Sequence, residues 1–323
     1  MTLRYGASHK RTRLTPSAPA VMLAAGMTRA RSIRAPLRVG IVVHPTRGVS
    51  EPLGVLRDWS DRRGAAVVQL PVVRDERVLA PAGDAQDCDL IASIGGDGTM
   101  LAALGAGMAN GRPVLGVACG SLGILTRTPP DQVGVALDRF AAGDWEPLAL
   151  PALVIAGAGK RERPAINDLV VIRAGTGQIR VAVHADGALV GRLAGDGVIV
   201  ATALGSSAYS LAAGGPLLGP GAEGMLLTPL STHGGELPPI VFGPAVSLTL
   251  DIGESYGGSR LEVDGRIVTG ASPRLRIGLR PAMATLVAFA DQEPLLSVLR
   301  RKGLVLDSPR VLVDEMRTTS EQE

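Results

Sequence analysis

The segment DLIASIGGDGTMLAALGAGMA (89–109) limits the possible folds more than any other stretch of the chain. It opens on a short, almost wholly apolar run, turns at glycines, and continues in small residues that suit a helix. A strand without a polar face must be covered on both sides, which places it in a parallel sheet flanked by helices. Neighbouring stretches repeat the rhythm. LRVGIVVHP (37–45) reads as a strand, and EPLGVLRDWSDRRG (51–64) as a helix with Leu53, Leu56 and Trp59 on one side and Gly64 as its stop. AAVVQLPVV (65–73) reads as a second strand, DLIASI (89–94) as a third, TMLAALGAGMA (99–109) as a helix and PVLGVA (113–118) as a fourth strand. Ligands of such sheets bind at the carboxyl ends of the strands. Both GGDGT (95–99) and CGSLGILT (119–126) fall there.

Beyond residue 145 the texture changes. PALVIAG, NDLVVIRAG, IRVAVHADGALVG, GVIVATA and AVSLTLDIG are short β-prone runs separated by Gly or Asp-Gly turns, the pattern of an antiparallel sandwich. RLEVDGRIV (260–268) reads as a hairpin turning at Asp264-Gly265, and PLLSVLRRKGL (294–304) as a short amphipathic helix. The expected organisation is a basic disordered leader (1–36), an α/β N-terminal domain with a parallel Rossmann-like sheet (37–147), an all-β sandwich-like C-terminal domain (148–290), and a closing helix and tail (291–323).

The net charge of +3 hides an asymmetry. Residues 1–50 hold nine Arg or Lys and no acid, leaving 24 basic side chains against 30 acidic ones elsewhere. The body is mildly acidic, and aromatics are only 2% of the chain, so the basic patch with interleaved aromatics of a nucleic-acid binder is absent. An Arg-rich, acid-poor leader can be an organelle transit peptide, but the Ala, Gly and Arg bias throughout suggests a high-GC bacterial gene, and an over-long start with initiation at Met22 or Met27 fits equally. No uninterrupted apolar stretch reaches the ~20 residues of a membrane span, so no membrane partner is expected. Cys88 and Cys119 form neither a disulfide framework nor a zinc-ligand pattern, which fits a reducing cytoplasm. His44, His184 and His233 have no partner at catalytic or metal-ligand spacing and read as structural, so no metal-ligating residue is assigned.

Glycines after a strand let backbone N–H groups approach a phosphate, and the helix that follows adds its positive end. A carboxylate inside that turn would repel phosphate unless it serves a hydroxyl or a metal, which makes Asp97 a candidate general base or a group acting on Mg²⁺. No GxxxxGK[ST] occurs, and GAGMANG (105–111) ends a helix rather than opening one, so neither a P-loop nor a dinucleotide fingerprint is present. LAGDGVIVATALGSSAYSLAAGGPLLGP (193–220) places Asp196 between glycines and gathers Thr202, Ser206, Ser207 and Tyr209 into one hydroxyl-rich turn. Asn167-Asp168 opens the strand LVVIR; alone, it reads more readily as a turn former than as a ligand-binding pair. Asp186 is explained by hairpin chemistry.

In order, IGGDGTML, PVLGVACGSLGILT, NDLVV, DGVIVATALGSSAYSLAAGGPLLGP, LLTPL, VDGR and SVLRRKG resemble the NAD kinase family over nearly the whole chain after the leader. GGDGT alone is shared with diacylglycerol and sphingosine kinases. The resemblance implies transfer of the γ-phosphoryl group of ATP, or in some members of polyphosphate, to the adenosine ribose 2′-hydroxyl of NAD, with Mg²⁺ or another divalent cation, in a homodimer or homotetramer. It implies Asp97 as general base and Gly95, Gly96, Gly98 and Thr99 as the donor cradle. Asn167, Asp168, Ser207, Ala208 and Tyr209 would line the NAD site, and Asp196 would contact the dinucleotide, from within the chain or from a neighbouring subunit. Four positions depart from the family pattern: Asp168 stands for Glu, Leu204 for a hydroxyl residue, Ala118 for Asn and Ile124 for Phe, and a PHxLSxRP motif is not recognisable near Ser231–Pro239. Two alternatives follow: a kinase with the same donor site acting on a hydroxyl of another nucleotide or metabolite, and a non-catalytic nucleotide sensor.

Overall fold

The computed structural model describes residues 36–71, 77–120, 123–219, 221–235, 237–309 and 311. All but the last residue of the expected leader, and residues 72–73 of the second expected strand, lie outside them. In chain order the elements are β1 (Arg38–Val43), α1 (Ser50–Arg63), β2 (Ala66–Gln69), β3 (Leu90–Gly95), α2 (Asp97–Asn110), β4 (Val114–Ala118) and α3 (Val133–Ala142). Then follow β5 (Glu146–Ala156), β6 (Arg163–Ala165), β7 (Asp168–Arg173), β8 (Ile179–Ala185), β9 (Ala188–Gly195), β10 (Gly197–Thr202), α4 (Tyr209–Ala212) and β11 (Met225–Leu230). The chain closes with β12 (Ile240–Phe242), β13 (Leu248–Ile252), β14 (Ser259–Val263), β15 (Arg266–Val268), β16 (Arg274–Ala288) and α5 (Leu295–Arg301).

Strands β2, β1, β3 and β4 pair in parallel in that order, as their unbroken apolar runs require. On one face Leu53, Leu56 and Trp59 of α1 and Leu137 and Phe140 of α3 pack against Val39, Ile41, Leu90 and Ile94. On the other face Met100, Ala103 and Leu104 of α2 cover Val42, Ile91 and Val114. Trp59 also donates its indole N–H to Asp138 at 2.7 Å, tying α1 to α3. The periodicity reading did not single out α3.

The C-terminal half is a sandwich. Its six-stranded antiparallel sheet runs β12-β11-β10-β7-β14-β15. Leu169, Val171, Val198 and Val200 of that sheet meet Val181, Val183, Leu248, Leu250 and Ile277 of the facing strands in one buried cluster. The facing strands are not a separate sheet. They continue the parallel one through the fifteen-residue β16, giving the order β2-β1-β3-β4-β16-β13-β8-β9, with β5 and β6 branching from β16. Leu286 of β16 pairs with Val114 of β4, while residues 274–277 pair with β13. The register of β16 against β5 shifts between Arg280 and Ala284, where Ala282 takes φ 51°. A shift of this kind bends a long strand so that it can serve two architectures. The hairpin read at 260–268 is β14–β15, and Asp186-Gly187 turns β8 into β9 with Asp186 at φ 49°.

Candidate functional site

The strand β3 ends at Gly95 and α2 begins two residues later, so Asp97 occupies the first turn of the helix at the carboxyl edge of the parallel sheet. Its carboxylate accepts N–H groups from Ile124 and Leu125 at 3.0 Å each and from Thr126 at 3.4 Å. The loop after β4 therefore presents Asp97, and it approaches so closely that a Cβ at Gly123 would lie 2.2 Å from both the Asp97 Oδ1 and the Thr126 Oγ1. Around this carboxylate lies a cavity of about 480 Å³, lined by Gly96, Asp97, Gly98 and Thr99 together with His44, Arg47, Arg266 and Lys302. Asp97 is its one carboxylate among the described residues. A carboxylate has about four lone-pair positions, so the three N–H bonds leave room for a hydroxyl. Among the described residues no group of three His, Cys, Asp or Glu side chains is placed to hold a metal ion.

The second constellation forms on the flank of α2. Ile166 and Leu204 pack against Met100, Ala102 and neighbouring residues of that helix. A cavity of about 370 Å³ separates α2 from the β14–β15 hairpin and shares Ala102 and Arg266 with the first. Asp264, read from sequence only as a turn residue, reaches back from the hairpin and accepts the N–H groups of Ile166 (2.9 Å), Asn167 (2.7 Å) and Asp168 (3.2 Å). Thr202 fixes the same segment from the other side, donating its hydroxyl to the Ile166 carbonyl at 2.6 Å and accepting the Gly205 N–H at 3.1 Å. Gly205 sits so close that a Cβ there would lie 2.0 Å from the Asn167 carbonyl oxygen. Asn167 Oδ1 is buried without a hydrogen-bond partner among the described residues. Such an orphan acceptor costs about 1–3 kcal/mol, which a ligand donor would recover. Ser207 Oγ donates to the Leu204 carbonyl at 2.8 Å, Ala208 follows, and Tyr209 opens α4 with its side chain exposed.

Asn167, Asp168, Ser207, Ala208 and Tyr209 thus gather at one end of the β7–β10 ladder, beside the helix that carries Asp97. Asp196 does not join them. It lies at the opposite end of the six-residue β10, about 20 Å away by strand rise, where it pairs with Arg173 at 2.6 Å. The carboxylate of Asp264 and the cavity arginines escaped the sequence reading. Only the Asp-Gly turn of VDGR and the Arg that follows it pointed there.

Asp168 is 5% exposed, and its carboxyl is pushed up to about 7, by burial first and then by the nearby carboxylates of Asp264 and Glu262. Burial also raises Asp264, against the pull of its three backbone donors. Between the ordinary value of 3.8 and about 7 the folded chain keeps a proton that the unfolded chain has lost. Stability therefore falls as pH rises through that window, and this contribution is flat above it. Thermal denaturation should show this fall in the wild type and a flatter profile in Asp168→Asn. Parallel profiles for the two proteins would remove Asp168 as its source.

Comparison with known proteins gives two family models that match the chain. Residues 39–145 match the model of the ATP-NAD kinase N-terminal domain, and residues 166–287 that of the ATP-NAD kinase C-terminal domain. An NAD kinase of Symbiobacterium thermophilum is 35% identical over 251 residues, 74% of this chain and 88% of that protein. An NAD kinase of Heliobacterium modesticaldum is 32% identical over 281 residues, 82% of this chain and 97% of that protein. Among solved structures, yeast NADH kinase complexed with NADH superposes with a TM-score of 0.67 at 20% identity, covering 82% of this chain and 85% of that one. An NAD kinase from Archaeoglobus fulgidus in complex with ATP gives 0.62 at 24% identity, covering 79% and 94%. Both structural likenesses concern the fold.

Proposed function

This chain belongs to the NAD kinase family, and on that premise we propose that it transfers the γ-phosphoryl group of ATP to the adenosine ribose 2′-hydroxyl of NAD, giving NADP. The observation that carries the reading is the Asp97 carboxylate, presented by three backbone N–H groups inside a cavity whose lining also includes Arg47, Arg266 and Lys302. Relatives named NAD kinase that cover most of the chain support NAD as the acceptor, so neither a different acceptor nor a sensor without turnover is favoured.

In the step, the 2′-oxygen attacks the γ-phosphorus, the bond to the β–γ bridging oxygen breaks, ADP leaves, and the hydroxyl proton passes to Asp97. A ribose hydroxyl is a weak nucleophile, and most of the catalysis is positioning and charge neutralisation. Gly95, Gly96, Gly98 and Thr99 cradle the donor phosphates. Asn167, Asp168, Ser207, Ala208 and Tyr209 hold the dinucleotide, with the orphaned Asn167 Oδ1 ready to accept a ligand N–H or O–H. Asp196 is too far along β10 to act on the same dinucleotide and serves one bound by a neighbouring subunit of a homodimer or homotetramer. Asp97, the carboxylate among the described residues that line the cavity, would hold Mg²⁺ or another divalent cation together with the substrate phosphates that largely carry such ions, and the ion would supply charge neutralisation at the phosphoryl oxygens. No helix among the described residues is long and apolar enough to cross a membrane. The two free cysteines favour a cytoplasmic setting.

Purified protein with Mg-ATP and a panel of NAD, NADH and nucleosides tests the reading. NADP formation is expected, and phosphoryl transfer to another acceptor with NAD inert would overturn it. Leu204, at a position where the family carries a hydroxyl, packs with Met100 and Ile166. Leu204→Thr should therefore cost about 1 kcal/mol of stability and leave the KM for NAD unchanged. A raised KM at unchanged stability would place that side chain at the substrate.

A further inference from the structure

We propose that Arg47 is a donor-phosphate residue of this site, held in place by a purpose-built loop in which His44 and Arg77 are positioning residues. The proposal deepens the kinase reading and rests on it. The sequence HPTR follows β1 directly, and His44 extends the sheet by donating its backbone N–H to the Ile94 carbonyl at 2.9 Å. Its ring Nδ1 accepts two N–H groups, from Thr46 at 3.2 Å and Arg47 at 3.1 Å. Arg77, thirty residues further on, donates to the carbonyls of His44 (3.1 Å) and Arg47 (2.7 Å). A short loop with one side-chain acceptor and one side-chain donor devoted to its backbone is fixed rather than free.

The loop fixes the Arg47 backbone beside the glycine turn, and its guanidinium reaches Gly96, where a Cβ would lie 3.0 Å from the Arg47 Nη1. Arg47 and Lys302 line the cavity of Asp97 and enter no ion pair among the described residues, although Arg139, Arg173, Arg274 and Arg280 all do. The Asp97 oxygens face peptide N–H groups instead. An arginine held against a glycine turn without a carboxylate partner is arranged for an anion that comes from outside. Its planar fork matches two phosphoryl oxygens at once. Arg266 and Lys302, from the β15 hairpin and the end of α5, approach the same space from two other elements. A triphosphate chain entering there meets cations carried by three segments of the chain and, among the described residues, a single carboxylate.

The discriminating experiment measures Mg-ATP binding without acceptor, and both KM values during turnover, for wild type, Arg47→Gln, Arg47→Lys and Arg77→Gln. Loss of a charge-assisted pair predicts Mg-ATP binding weaker by about 10- to 100-fold in Arg47→Gln. The KM for NAD should stay unchanged, and Arg47→Lys should recover part of the loss. Arg77→Gln should raise the KM for ATP by a smaller factor with the same selectivity, whereas a general loss of structure would move both KM values and the melting temperature. Mg-ATP binding within about twofold of wild type in Arg47→Gln, or equal loss for both substrates, would overturn the assignment. Should the wild type bind Mg-ATP yet leave NAD unphosphorylated, the binding series still decides the role of Arg47 and only the acceptor reading falls.

Discussion

Asp97→Asn is expected to lower kcat by about a hundred- to ten-thousand-fold, the range for removing a positioned proton acceptor. The variant keeps an amide oxygen that can still accept from Leu125 and Thr126, both of which donate to Oδ1. Its new NH₂ group would face the Ile124 N–H, which donates to Oδ2, and two donors facing each other cost about 1–3 kcal/mol. A modest drop in melting temperature should thus accompany the kinetic loss, with the KM for NAD nearly unchanged because binding residues are untouched. Single-turnover rates, read beside thermal denaturation, separate the two effects. A kcat within tenfold of wild type would remove Asp97 from the path of the proton.

Gly205→Ala is expected to destabilise the fold by about 3 kcal/mol, at the upper end for overpacking. The added Cβ would lie 2.0 Å from the Asn167 carbonyl oxygen, 2.5 Å from its carbon and 2.8 Å from its Cα, so the relief has to come from backbone. Separating the two segments strains the Thr202 bridge, which donates to Ile166 and accepts from Gly205, and the Thr202 N–H bond to the Asn167 carbonyl at 2.9 Å. The same movement displaces Asn167 and Asp168, so a raised KM for NAD should appear in whatever fraction folds. Denaturant titration gives the first quantity and steady-state kinetics the second. Stability within about 0.5 kcal/mol of wild type, the size of an ordinary surface change, would mean that the turn is more yielding than its geometry implies.

Local chemistry explains which parts of this molecule were legible in sequence. The parallel strands have no polar face, and GGDGT sits where such a strand meets a helix, so both the first architecture and Asp97 could be read from spacing. The short β-prone runs gave the sandwich for the same reason. Strand β16 gave no such signal. RLRIGLRPAMATLVA alternates at its start and turns apolar at its end, and its service to two architectures depends on a register shift that spacing does not record. Asp264 is a second case. Its Asp-Gly turn was visible, yet its carboxylate acts on residues 96 to 98 positions earlier, a relation that no local pattern carries. Asp196 is the converse: a glycine-flanked aspartate read beside a hydroxyl-rich turn that the six residues of β10 carry away from it.

The most direct test of the account is where the phosphate goes. Protein incubated with Mg-ATP and NAD, with the product examined by phosphorus NMR and mass spectrometry, should yield ADP and a dinucleotide bearing one new monoester on the adenosine ribose 2′-oxygen. A monoester on any other hydroxyl, or ADP released with NAD unchanged, would contradict it.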